Sequence, residues 1–164
     1  LAGSLATRLG ALVWVPHTEA PDLASAISAV CAENALDPGR TVIVGEGGGC
    51  HAAFALCGKV PSARIALLYP PALPGIDPHS FPTTLLQASA TSSTRAGVVM
   101  LESSLRRAGV AVRETDYQDI ADDWARYPRA VRGSKRALGD LVAFLERGVG
   151  QSSTFEVIPG WDLH

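Results

Sequence analysis

The sequence predicts an α/β fold with a doubly wound, mostly parallel sheet. Three observations support this prediction: the candidate strands are short, nearly continuous apolar runs, the segments between them have helical periodicity, and turn residues separate the two kinds of segment. Continuous apolar runs are typical of strands that are covered on both faces. Strands that alternate with helices favour right-handed crossovers, which produce a parallel sheet with helices on both faces.

Candidate strands and helices follow one another along the chain. The strands are predicted at 11–15, 41–44, 65–68, 84–87 and 110–112. The first residues, 1–9, have the pattern of a helix that is already in progress. Each later helix is predicted from one apolar stripe. The stripes consist of Leu23, Ile27 and Val30, then Val98, Leu101 and Leu105, and finally Leu138, Leu141, Val142 and Leu145.

We divide the chain into an α/β domain at 1–148 and a C-terminal tail at 149–164, because the tail has no helical period. A chain of 164 residues, 47% of them hydrophobic, has enough apolar surface for one sizeable core. Because the sequence opens within a helical pattern at Leu1, which is not a methionine, we expect the chain to be incomplete.

Charge and cysteine usage restrict the class of function. The 14 basic and 16 acidic residues are spread along the chain and give a net charge of -2, so we expect no nucleic-acid partner. Three cysteines at irregular spacing fit neither a disulfide framework nor a zinc site, which favours a reducing, cytoplasmic location. The sequence has no apolar run of membrane-spanning length. We expect neither a cofactor nor a bound metal.

A glycine-rich turn between a buried strand and a helix is the most informative stretch. It reads Thr41-Val-Ile-Val-Gly-Glu-Gly-Gly-Gly-Cys-His. The turn matches the G-x-G-x-x-G motif of dinucleotide-binding proteins only weakly, because position 50 is a cysteine and no ribose-binding acid follows the next strand. Two interpretations stay open. The turn is either a nucleophile elbow with Gly47 at the nucleophile position, or a turn whose glycines only allow close packing.

The surroundings of this turn resemble the hormone-sensitive-lipase-like esterases, a family of α/β-hydrolases, up to about Gly148. Leu36-Asp-Pro-Gly-Arg-Thr-Val-Ile-Val-Gly-Glu-Gly-Gly-Gly looks like the family's D-P-x-R, strand, G-D-S-A-G-G signature. Phe81-Pro-Thr-Thr-Leu-Leu-Gln-Ala-Ser-Ala-Thr resembles the strand and loop that present the acid of the triad, and 109–117 resembles the last core strand. The resemblance implies that the chain forms the C-terminal part of an α/β-hydrolase fold and lacks the first strands of that fold.

By this resemblance the three triad positions fall on Gly47, Thr91 and Asp122. The triad needs a hydroxyl that attacks, an imidazole that removes and returns its proton, and a carboxylate that orients the imidazole. None of the three residues has the group that its position requires. We therefore expect a catalytically inactive hydrolase-fold protein that acts as a ligand-binding or protein-interaction subunit. The alternative is a carboxylic-ester hydrolase that uses non-standard residues.

Other residues near these positions are candidates for ligand binding or for unusual chemistry. Cys50 and His51 are adjacent in a helix and point about 100° apart, so core packing is favoured over a catalytic pair. The aspartates at 116–123 lack the spacing of a calcium loop and are favoured as a solvated loop. The ligand-binding candidates follow the second strand or lie in loops that can face a cleft, and they are Gly45, Glu46, Gly48, His17, His79 and Trp124.

The resemblance also implies a partner, because the family's strand order places an earlier strand between the segments 11–15 and 41–44. Without that strand the sheet has a gap, and unpaired backbone groups on both sides of a gap are costly. We expect a preceding segment, another protein or a second copy of the chain to fill it, unless the two strands close up into a new order. A small apolar ligand in the inherited cleft is the other kind of partner that we expect.

Overall fold

The computed structural model describes residues 1–16, 22–73, 75–127 and 132–149. Nearly all of the predicted C-terminal tail lies outside the described residues, and so does the candidate residue His17. The helices are α1 (Ala2–Leu9), α2 (Leu23–Glu33), α3 (Gly49–Leu56), α4 (Arg95–Arg107) and α5 (Arg132–Val149). The strands are β1 (Thr41–Glu46), β2 (Ser62–Leu68), β3 (Thr83–Ser89) and β4 (Val112–Tyr117).

The four strands form one parallel sheet in the order β1-β2-β3-β4. Ile43 of β1 lies beside Ile65 of β2, which in turn lies beside Thr84 of β3. Thr84 is paired with Val112 of β4. Because consecutive strands run parallel, the chain returns to the same edge of the sheet before each new strand. The predicted parallel α/β fold is confirmed.

Two hydrophobic clusters cover the two faces of this sheet. On one face, Leu5 of α1 and Leu138 of α5 pack against the strands. On the other face, α3 and α4 pack through Ala53 and Val98, with α2 at the margin of the cluster. Residues 65–68 of β2 are fully buried. This two-sided burial explains why the central strands are continuous apolar runs.

The strand predicted at 11–15 is wrong, because this segment has no strand in the structure. Leu12 and Val15 are 52% and 70% exposed, while Val13 packs against the same cluster as α1 and α5. A strand exists only where another strand pairs with its backbone groups. Within the described residues β1 pairs with β2 alone, so the segment and β1 have not closed up into a new order.

The last predicted strand, 110–112, is misplaced and covers only the first residue of β4. The strand continues through Arg113, Glu114 and Asp116, which the apolar pattern did not include. Arg95 of α4 lies against both carboxylates, with an ion pair of 3.1 Å to Glu114 and a second to Asp116. Part of β4 is therefore covered by salt bridges, whereas the other strands are covered mainly by apolar side chains.

Candidate functional site

Four loops meet at the carboxyl edge of the sheet, because the carboxyl ends of parallel strands lie at the same edge. Gly47 follows β1, Tyr69 follows β2, Thr91 follows β3 and Asp122 follows β4. In open parallel α/β sheets this edge is where ligands bind. The three positions that match the triad of the resembled family are therefore all on the expected edge.

The turn from β1 into α3 has the backbone of a nucleophile elbow. Gly47 has a φ of 51°, in the left-handed region, and its N–H donates to the carbonyl of Leu68 at 3.0 Å. Gly45 is required by packing, since a Cβ there would lie 2.8 Å from the Cα of Cys50. Gly48 meets nothing within 4 Å. Gly45 thus permits close packing and Gly47 permits the left-handed turn, so the glycines are required by the backbone whichever interpretation applies.

Tyr69 lies over the position where a nucleophile would project. A Cβ added to Gly47 would be 3.5 Å from the Cε2 atom of Tyr69, an ordinary contact distance. The Tyr69 hydroxyl donates to Oε1 of Glu46 at 2.5 Å. Burial and the adjacent Glu46 carboxylate raise the pKa of Tyr69 well above its ordinary value. The phenol therefore stays neutral and fixes the Glu46 side chain beside the elbow.

Tyr69 was missed by sequence reasoning, which noted only that no ribose-binding acid follows this strand. Its φ of 40° is unusual for a bulky residue. Left-handed backbone at a non-glycine residue is a form of strain that is concentrated at functional sites. An aromatic residue directly after a buried strand and before two prolines is the signal that could have identified it.

The loops after β3 and β4 are joined by a serine and an aspartate. The Ser92 hydroxyl donates to Oδ2 of Asp122 at 2.7 Å, and a second short contact of 2.8 Å joins Ser92 to the hydroxyl of Thr94. Thr91 is exposed and pairs with Ser89 at 3.1 Å instead of reaching Asp122. The acid and histidine positions of the resembled triad are thus occupied by a hydrogen-bonded group of hydroxyls around one carboxylate.

Two buried polar atoms next to this group have no hydrogen-bond partner among the described residues. They are Oδ1 of Asp122 and Nε1 of Trp124. Trp124 is only 4% exposed and belongs to the same cluster as Tyr69. Unpaired buried donors and acceptors are rare and costly in folded proteins. The candidate residue Trp124 therefore has a buried donor without a partner among the described residues, in the cluster that also contains Tyr69.

Cys50 and His51 do not form a catalytic pair. Cys50 is fully buried, and its thiol points at the carbonyl of Leu68 at 3.7 Å. Burial raises the pKa of Cys50 to about 12, so the thiolate is not accessible near neutral pH. His51 is exposed, and its Nδ1 lies 3.3 Å from the carbonyl oxygen of Gly48.

The remaining candidates are scattered. His79 lies in a short helical turn that precedes β3, and the neighbouring Ser80 is next to Gly58 beyond the end of α3. It is therefore at the amino edge, away from the elbow. Asp116 and Asp119 each pair with a different arginine. In the part of the chain that the structure describes, no group of three or more His, Cys, Asp or Glu residues is arranged to hold a metal ion.

Comparison with known proteins places this architecture among the α/β-hydrolases. A carboxyl esterase from the fungus Tuber melanosporum matches with a TM-score of 0.74 and 15% identity, over 90% of this chain and 71% of that one. An esterase of the bacterial hormone-sensitive lipase family matches with a TM-score of 0.70 and 14% identity, over 90% of this chain and 69% of that one. A hormone-sensitive lipase from a metagenome library matches with a TM-score of 0.70 over 88% of this chain and 70% of that one.

The TM-scores establish the fold, and at these low identities they establish the fold alone. The resemblance seen in the motifs is confirmed at the level of the fold. The chain has the α/β-hydrolase fold and corresponds to about 70% of the length of such an enzyme. No protein-family model and no curated protein matches the sequence. None of the helices in the described residues is long and apolar enough to cross a membrane.

Proposed function

We propose that this protein is a non-hydrolytic member of the α/β-hydrolase fold that binds a small, largely apolar ligand at the carboxyl edge of its sheet. The observation that carries the proposal is Gly47, which occupies the elbow with left-handed backbone and no side chain. An elbow without a hydroxyl still directs backbone N–H groups and a helix N-terminus toward the edge of the sheet. It cannot form an acyl-enzyme intermediate.

The side chains around the elbow support binding rather than catalysis. Tyr69 and Trp124 supply aromatic surface in one buried cluster. The unpaired Nε1 of Trp124 and Oδ1 of Asp122 are a donor and an acceptor that a bound hydroxyl or carbonyl group would satisfy. A few polar groups in an otherwise apolar setting are typical of small-molecule sites.

The test uses p-nitrophenyl butyrate both as a ligand and as a substrate. A leucine at position 47 would fill the space in front of the Tyr69 ring, whereas an alanine would add only one methyl group to the same left-handed backbone. We expect quenching of tryptophan fluorescence by the ester in the wild type and in Gly47→Ala, and at least a tenfold weaker effect in Gly47→Leu. Equal quenching in all three proteins would contradict a site at the elbow.

The alternative is ester hydrolysis by non-standard residues, and the short Ser92–Asp122 hydrogen bond is the observation that favours it. A carboxylate is a weak base for a serine hydroxyl, and the triad logic requires an imidazole between the two. We expect no turnover of p-nitrophenyl butyrate above the buffer rate. Saturable turnover that disappears in both Ser92→Ala and Asp122→Asn would establish the enzyme instead.

A second proposed function is assembly through the edge of β1 that has no partner strand among the described residues. The exposed Leu12, Trp14 and Val15 surround Val13, which packs against the same cluster as Val42 and Val44 of β1, and exposed apolar stretches of this kind mark interaction sites. The partner that we propose is a second copy of this chain. Sedimentation should show a dimer that Leu12→Glu and Val15→Glu dissociate. The control is Met100→Glu, at a side chain that is 74% exposed on α4, and this variant should remain a dimer. A monomeric wild type would contradict the proposed assembly.

A further inference from the structure

A cavity lies at the amino edge of the sheet, opposite the elbow. It has a volume of about 200 Å³. Three arginines line it, Arg64 from β2, Arg113 from β4 and Arg147 from α5, and the remaining lining residues are Thr83, Ala111, Val112 and Phe144. We call it the arginine cavity. Nothing in the resemblance or in the elbow accounts for three guanidinium groups around one small cavity.

The positive charge of the arginine cavity is only partly compensated. Arg113 donates to Oδ1 of Asp140 at 3.0 Å, and Asp140 also accepts from the Tyr117 hydroxyl at 2.8 Å. Within the described ranges, no carboxylate lies within ion-pair distance of Arg64 or Arg147. Like charges at one site repel each other, and the repulsion decreases when an anion binds between them.

Arg64 is held in place before any ligand binds. Its guanidinium carbon lies 4.9 Å from the centroid of the Phe144 ring, in a cation–π arrangement. Its aliphatic stem passes close to Gly148, where an added Cβ would come within 3.0 Å of Cδ. A guanidinium fixed on an aromatic ring loses little conformational entropy when it binds an anion.

We propose that the arginine cavity is a binding site for a phosphate-type dianion, either inorganic phosphate or the phosphate group of a monoester. Guanidinium groups bind phosphate oxygens with paired hydrogen bonds, and three of them give a planar, multidentate site. The volume suits a single phosphate group and is below that of cavities for drug-sized ligands. This site is separate from the elbow and does not depend on the function proposed there.

The test measures thermal stability in increasing inorganic phosphate against sodium chloride at equal ionic strength. A ligand that binds only the folded state raises Tm in a saturable way. We expect this rise in the wild type, and at least a tenfold weaker apparent affinity in Arg64→Gln and Arg147→Gln. Arg147 is exposed, so its substitution leaves the fold intact if Arg64→Gln does not fold.

The matched control is Arg126→Gln, which removes the same charge from an exposed arginine in the short helical turn after β4, at the carboxyl edge of the sheet and thus opposite the arginine cavity. It should keep the wild-type response, because surface charges more than about 10 Å apart are largely screened at ordinary salt. An equal loss in the control, or no saturable response in the wild type, would overturn the proposal.

Two further probes distinguish the source of the phosphate group. Glycerol 3-phosphate represents soluble monoesters, and phosphatidylcholine vesicles with and without phosphatidic acid represent lipid headgroups. Stabilisation by glycerol 3-phosphate that is lost in Arg147→Gln assigns the site to soluble monoesters. Vesicle binding that needs both phosphatidic acid and Arg147 assigns it to a lipid headgroup. Binding of either probe that is unchanged in Arg64→Gln and Arg147→Gln would contradict the site.

Discussion

The two halves of the carboxyl edge differ in what determines their structure, which is backbone packing in one half and side-chain hydrogen bonds in the other. Around β1 and α3 the backbone has the shape of an elbow, with Gly45 packed on the helix and Gly47 in a left-handed conformation. Around the ends of β3 and β4 the side chains are joined by hydrogen bonds, and Ser92 donates to one oxygen of Asp122. The first half therefore depends on where glycines allow the backbone to turn and pack, whereas the second depends on hydrogen bonds between side chains of two loops.

The largest effect should come from Gly45, where the elbow half depends on close packing. In Gly45→Ala the new Cβ would collide with the backbone of α3, and we expect a loss of about 1–3 kcal/mol in the free energy of unfolding. Denaturant unfolding measures this loss. Gly48→Ala is the matched control, since its Cβ would meet open space, and it should change stability by less than about 0.5 kcal/mol. Equal losses in the two variants would show that the turn is not tightly packed.

A smaller effect is expected at Gly47, where the constraint is the backbone conformation alone. An added Cβ has room beside the Tyr69 ring, but left-handed backbone costs a residue with a Cβ about 1–2 kcal/mol. Gly47→Ala should therefore be destabilised by roughly this amount in the same experiment. Gly47→Asn should lose less, because asparagine tolerates the conformation better. The elbow geometry would be refuted if both variants were as stable as the wild type.

The β3 and β4 half should respond to loss of one hydrogen bond. Ser92→Ala removes the donor to Oδ2 of Asp122, whose other oxygen is already unpaired. We expect a loss of about 1 kcal/mol in the free energy of unfolding. Ser93→Ala, at an exposed neighbouring serine, should leave stability unchanged. If Ser93→Ala lowers the free energy of unfolding as much as Ser92→Ala does, the hydrogen bond between Ser92 and Asp122 does not stabilise the fold.

The smallest effect is the pH dependence of stability that arises from Glu114 on β4. Burial, and next the charge of Asp116, raise the pKa of Glu114 above its usual value, although Arg95 opposes the shift. The folded state then binds a proton more tightly than the unfolded state, so stability decreases as pH rises from the usual glutamate pKa through the raised one. Glu114→Gln should flatten that decrease in pH-dependent denaturation. Glu33→Gln, at an exposed carboxylate on α2, should keep the wild-type slope.

Most of the sheet could be predicted because local sequence patterns identify its central strands. Residues 65–68 are apolar on both faces, 84–87 place one leucine on each face, and both segments lie inside strands of the structure. The segment 11–15 has the same composition and is not a strand, because strand formation depends on a backbone partner distant in the sequence. The apolar pattern marked only the start of β4, because salt bridges to Arg95 cover part of this strand, whereas the family resemblance at 109–117 included the whole strand.

The site could be predicted in outline but not in its contacts. Glycines at 45 and 47 identify the elbow because both the packing and the left-handed turn demand them. The hydrogen bond between Ser92 and Asp122 joins residues 30 positions apart, and that between Tyr69 and Glu46 joins residues 23 apart. Such pairings follow from which loops meet at the edge of the sheet, and local sequence patterns do not encode them.

Covalent labelling by a fluorophosphonate tests most directly whether the elbow lacks an attacking group. These reagents phosphonylate activated serines, and intact-mass measurement followed by peptide mapping locates any adduct. We expect no adduct on the folded protein under conditions that fully label an active esterase, because position 47 has no hydroxyl and the Cys50 thiol is buried and protonated. A stoichiometric adduct on Ser92, lost in Asp122→Asn, would show that the protein has an activated nucleophile and would contradict the account.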